Sequence, residues 1–172
     1  MPLALSTSWN AFRHRNGILI AREIEQLGFK HLELGFNLTP NLLKGLTEEA
    51  RRVDLHINSL HNYCPIPTGL SRKKALPDCY SLSSLDERER FSAVKYSKLS
   101  IDTAVKVNAS TVVLHCGRVS IEDRTKALIG LYRNRRLKTG AFVSLRDGYI
   151  KERMLKARGY FLNALRSIDE LS

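Results

Sequence analysis

The chain has little with which to cross-link itself. Its 172 residues contain three cysteines, Cys64, Cys79 and Cys116, an odd number without framework spacing. Reduced thiols are therefore expected. Long apolar runs are also missing, so no segment approaches a membrane span. Met1-Pro2-Leu3-Ala4-Leu5 is too short for the core of a signal peptide and has no basic leader. The expectation is a cytoplasmic protein with no membrane partner. The sequence has no low-complexity segment, no glycine-rich phosphate loop, no Gly-x-Ser-x-Gly elbow and no convincing Cys/His nucleophile pattern. What remains open is metal-assisted chemistry, acid–base chemistry, or none.

Acidic residues are scarce too. Seventeen Asp/Glu face 28 Lys/Arg, a formal charge of +11. From Arg124 to Lys138 there are six basic residues and no acidic one. Such a stretch suits a phosphate or nucleic-acid surface. It equally suits a solvated helix face or a surface that meets an acidic partner. No aromatic interleaving or nucleic-acid motif accompanies it, which favours the latter two.

What is present is an alternation of strands and helices in a chain of single-domain length. Leu3 to Trp9, His31 to Phe36, Leu55 to His61 and Ser110 to Cys116 read as strands. Asn16 can cap a helix carrying Ile20, Ile24 and Leu27, with Gly28 as its stop. Thr39-Pro40 is a helix start, followed by Leu43, Leu46, Ala50 and Val53 on one face. Residues 62–83 read as a long loop of the kind that is usually functional or disordered. Ser84-Leu85-Asp86-Glu87 is a capping-box pattern opening a third helix. Two further helices are expected over 121–135 and 147–170. The last of these has Ile150, Met154, Ala157, Phe161, Leu165 and Ile168 on one stripe. This alternation predicts an α/β fold with a parallel sheet of about four strand–helix units, a partial (β/α)8 barrel.

Strand parity selects the candidate site. Leu55, Ile57, Ser59 and His61 share a face in the third strand. Thr111, Val113, His115 and Gly117 do so in the fourth, and His31, Glu33 and Gly35 in the second. His61 and His115 would then meet at the C-terminal end of neighbouring strands, where barrels build their sites, with Glu33 one strand further on. Two imidazoles and a carboxylate make a partial shell for a divalent metal. A strand histidine is also often a hydrogen-bonded core residue, and Glu33 can be a solvent-facing residue or a salt-bridge partner. Cys64 and Cys116 suggest a His/Cys zinc site, but Cys116 is adjacent to His115 and would point the opposite way. Tyr63 suits a pocket wall for a substrate, or plain packing.

The stretches LGFKHLELGFNLTP (27–40), SLHNYCPIP (59–67), PDCYSLSSLDERERFSAVKYSKLSIDTA (77–104) and VVLHCGRV (112–119) resemble the sugar phosphate isomerase/epimerase family, among the xylose-isomerase-like and endonuclease-IV-like barrels. DRTKALIGLY (123–132) and the terminal helix fit as well. In order along the chain, they match the N-terminal half of such an enzyme as one domain over 1–172. The resemblance implies metal-assisted proton transfer on a sugar, sugar phosphate or polyol. It makes His61 and His115 ligands of zinc, manganese or magnesium, or substrate contacts. It makes Glu33 a catalytic or auxiliary acid/base, and Tyr63 a substrate contact. The endonuclease branch implies instead hydrolysis of abasic DNA, a nucleic-acid partner that the positive charge favours. The ligands this family draws from later strands have no counterpart here. The expectation is thus a chain inactive alone that needs a matching C-terminal half or self-association, or a non-catalytic half-barrel that binds a partner.

Overall fold

Four short β-rich runs form one parallel sheet, in the order β1 (Ala4–Ser6), β2 (His31–Leu34), β3 (His56–His61), β4 (Thr111–Val113). The computed structural model describes residues 3–172. Neighbouring strands in the sheet are neighbours in sequence, as consecutive strand–helix units require. The helices between them are α1 (Gly17–Gln26), α2 (Pro40–Arg52) and α3 (Glu87–Val107). Two more follow β4, namely α4 (Thr125–Arg133) and α5 (Gly140–Asp169). Among the described residues, no helix is long and apolar enough to cross a membrane.

Local capping chemistry starts the first two helices where the sequence predicts. The Asn16 side chain accepts the Ile18 amide proton, and Thr39 accepts that of Leu42 ahead of a first-turn Pro40. Gly28, at φ 83°, follows the end of α1. The third helix starts differently. Asp86, not Ser84, is its cap, and Asp86 Oδ1 accepts from the Arg88 amide. Ser84 accepts from the Asp86 amide and donates to Glu89 instead. The capping-box spacing is therefore present, but its serine serves the turn before the helix. The last helix begins seven residues earlier than expected, because Thr139 caps it and the helix runs on through Gly148.

One side of the sheet is the core. Leu32, Leu34 and Leu60 meet Ile20 and Ile24 of α1, Leu42, Leu46 and Ala50 of α2, and Ala104 of α3. Burying each large aliphatic side chain contributes roughly 1.5–3 kcal/mol. The other side of the sheet is open. A register shift between β2 and β3 decides what lies there: Leu32 pairs with Ile57, but Glu33 pairs with Ser59, which leaves Asn58 as an extra residue. The shift corrects the simple parity reading. Leu55 and Ile57 join the core, whereas Ser59 and His61 lie on the open side. The open face is accordingly polar and lacks the two aliphatic residues that the alternation had placed there.

The loop between β3 and α3 is pinned rather than loose. Arg72 donates to the carbonyls of Ala11, His14 and Asn37, and the Ile66 amide donates to Leu38. By contrast, α4 has no buried residue and α5 has only Ser167. The stripe of Ile150, Met154, Phe161, Leu165 and Ile168, whose periodicity predicts a core-facing helix, is exposed.

Candidate functional site on the open face of the sheet

Register alignment builds a polar row straight across the sheet. Ser6 pairs with Glu33, Glu33 with Ser59, and Ser59 with Thr111. Glu33 is clamped in the middle of that row. Its Oε1 accepts from Ser6 Oγ at 2.8 Å and its Oε2 from Ser59 Oγ at 3.3 Å. The two hydroxyls, one from each neighbouring strand, fix the Glu33 side chain across the sheet. Ser6 is the partner that sequence reasoning missed, since parity names residues only on the second, third and fourth strands, and β1 ends at Ser6 instead of running to Trp9.

Two residues towards the C-terminal end, His61 faces the region beside Val113. His115 follows in the loop after β4. The two imidazoles are on the same side, with ring centroids 5.0 Å apart. Phe36 stands edge-on to His61 at 5.5 Å and flanks it on the β2 side. His61 Nδ1 lies 3.2 Å from the Asn62 carbonyl. A carbonyl only accepts, so Nδ1 is the donor in this contact, and in the neutral ring Nε2 is then the nitrogen with the lone pair. That tautomer leaves His61 free to accept from a ligand hydroxyl or to bind a cation.

Gly117 holds the turn that carries His115. Its φ is 102°, and a Cβ there would stand 2.2 Å from Ser83 Oγ and 2.6 Å from Ser81 Oγ. Ser83 Oγ also donates to the Arg118 carbonyl, so the 81–83 loop and the 115–118 turn are interlocked. A cavity of about 770 Å³ opens beside them, lined by Asp78, Ser81, Glu89, His115 and Arg118 among others. At the other end of the sheet, the rings of His31 and His56 lie 5.3 Å apart and tilted by 30°, and Asn58 Oδ1 lies 2.8 Å from His31 Nδ1. The extra residue of β3 thus brings a second histidine pair to the open side, which strict alternation could not reveal.

Tyr63 is placed elsewhere. It is 1% exposed, and its hydroxyl donates to the Tyr80 carbonyl at 2.8 Å. It packs against Tyr80 and Tyr96, and burial raises its phenol pKa well above the usual range. Its position is that of an interior packing residue rather than a pocket wall. Cys64 is also buried in the core, where desolvation holds its thiol in the protonated form. It is therefore remote in character from a thiolate ligand.

The donor set does not complete a catalytic metal centre. His61 and His115 offer two ligands, where such a site takes three from the protein. Among the described residues, no three His, Cys, Asp or Glu side chains gather closely enough to hold a metal ion. Glu33 therefore does not join the two histidines in one shell. No protein-family model matches the chain, and no curated protein matches it.

Proposed function

We propose that the open face is part of the active-site floor of a sugar phosphate isomerase/epimerase-like (β/α)8 barrel. The observation that carries this reading is the pairing of His61 with His115 at the C-terminal end of adjacent parallel strands, with Glu33 on the same face. The ligand is a sugar, sugar phosphate or polyol. The free Nε2 of His61 accepts from a ligand hydroxyl, and His115 lies beside it for a second contact. Glu33 has the chemistry of a base for a proton on the carbon next to a carbonyl. Its two serine partners orient it and leave it an acceptor. Zinc, manganese or magnesium, if bound at the two imidazoles, requires further donors from outside these four strands.

The test is a titration of the chain with a ketose phosphate, followed through the ring resonances of its histidines. Saturable shifts of His61 and His115 are expected, with little turnover, because the groups on these strands do not complete a catalytic set. The double variant His61→Ala/His115→Ala should lose the response. Resonances that stay unmoved, or binding that survives the double variant, sink the proposal. A second reading, phosphodiester hydrolysis at abasic DNA, draws on the +11 charge. Most of that charge lies outside the four strands, so the first reading uses the strand residues better. Binding and cleavage of an abasic duplex that depends on His115 would reverse the preference.

A further inference from the structure

Helix α5 has two opposite faces with different fates. Towards its C-terminal end, one face is fastened to the body. Asn163 donates to the Ser84 carbonyl, Ser167 to the Leu82 carbonyl, and Glu170, just past the helix, accepts from Arg90. At 3.6 residues per turn, the opposite face carries Val143, Ile150, Met154, Ala157, Phe161, Ala164 and Ile168. Their spacing alternates between four and three residues, interrupted only by Asp147, whose carboxylate pairs with Arg146. This is the spacing of a coiled-coil seam. It is open to solvent, with Met154 73% and Phe161 62% exposed. A groove of about 580 Å³ runs beside it, between Ala157, Phe161 and Ala164 and the loop Cys116–Val119.

Charge identifies what fits. The charged residues flanking the seam are Arg146 and Arg153 on one side and Lys151 and Arg158 on the other, with no acidic residue at any flanking position. Arg118 adds a further cation across the groove. Residues 124–166 hold twelve Lys/Arg and two Asp/Glu, so ten of the eleven net positive charges lie there. In a paired coil, flanking charges select the partner, and like charges opposed across the seam disfavour it. A second copy would place arginine and lysine against arginine and lysine.

We propose that the exposed seam of α5 docks an amphipathic helix of an acidic partner protein, with apolar side chains between Ile150 and Ile168 and with glutamates or aspartates facing Arg146, Lys151, Arg153 and Arg158. The full chain is titrated by fluorescence anisotropy with a helical peptide of about four heptads, carrying leucine or isoleucine along its seam and glutamate at both flanks. A second peptide has lysine at those flanks. Saturable binding of the acidic peptide, at least about tenfold tighter than the basic one, is the expected result. Met154→Ser/Phe161→Ser should abolish it. Both side chains point to solvent, and an unchanged circular dichroism spectrum confirms that each variant is folded. Arg146→Glu/Lys151→Glu/Arg153→Glu/Arg158→Glu should invert the preference to the basic peptide. The proposal is overturned by equal affinity for both peptides or by binding that the serine variant retains. Self-association that the serine variant abolishes also overturns it. So does capture by phosphatidylserine vesicles or by RNA in place of the acidic peptide.

Discussion

Glu49 joins α1 to α2. It accepts from Arg22 at 2.8 Å and from Arg52 at 2.6 Å, and these guanidiniums, Arg52 foremost, pull its pKa from 4.5 down to about 2. A carboxylate with a lowered folded pKa contributes stability above its unfolded value, and that contribution is lost as pH falls towards the folded one. Resistance of the native chain to denaturant should therefore weaken as pH falls from about 4.5 to about 2. Glu49→Gln should be less stable at neutral pH and show a shallower acid slope. An identical slope would mean that the pair does not act on folding. At the same scale, Gly117→Ala must place a Cβ against Ser83 and Ser81 at positive φ. It should cost about 1–3 kcal/mol and shift the His115 ring resonance, whereas Gly28→Ala, with open space around it, should leave His115 unmoved. The capping residues Asn16 and Thr39 were legible because a cap is chemistry within three residues. Tyr63 was not legible, because whether a side chain after a strand turns inwards depends on Tyr80 and Tyr96, far along the chain.

Elements were readable to the extent that their periodicity was unbroken. The existence and order of all four strands, and of the helices between them, follow from alternation and from the caps. The face of β3 does not, because one extra residue at Asn58 changes the phase, and nothing in His-Ile-Asn-Ser-Leu-His announces it. The pairing of His61 with His115 was nevertheless legible, since both lie beyond the shift. Thr39→Ala removes a side-chain acceptor at the start of α2 and should cost about 1 kcal/mol in urea unfolding. Thr39→Ser should restore most of it. Loss of stability in both variants alike would place the effect in packing rather than in the cap.

Stability is unevenly distributed over the molecule. The sheet, α1 and α2 share one core, whereas α4 buries nothing and α5 buries only Ser167. Segments with few buried contacts open locally at little free-energy cost. Amide exchange over residues 125–158 should be faster than in β2 and α2 by orders of magnitude, with protection returning where Asn163 and Ser167 meet the body. Uniform protection along α5 would show that its free half is held by something else. The expectation of a core-facing stripe on α5 came from amphipathicity, which states that a face is to be covered and is silent about which molecule covers it.

The extra residue in β3 also has a consequence for inheritance. A strand is read two residues at a time, so it has two frames, and this one changes frame once, at Asn58. Loss of that single codon would leave the composition of the chain nearly untouched. It would nonetheless turn Ile57 outwards and carry His56 towards the leucines, while His61 and Ser59 kept their places. A point substitution on this strand changes one side chain, whereas an in-frame deletion there exchanges inside for outside over a whole segment. Variation in this lineage should therefore spare the length between Leu55 and His61 more strictly than it spares the residues themselves.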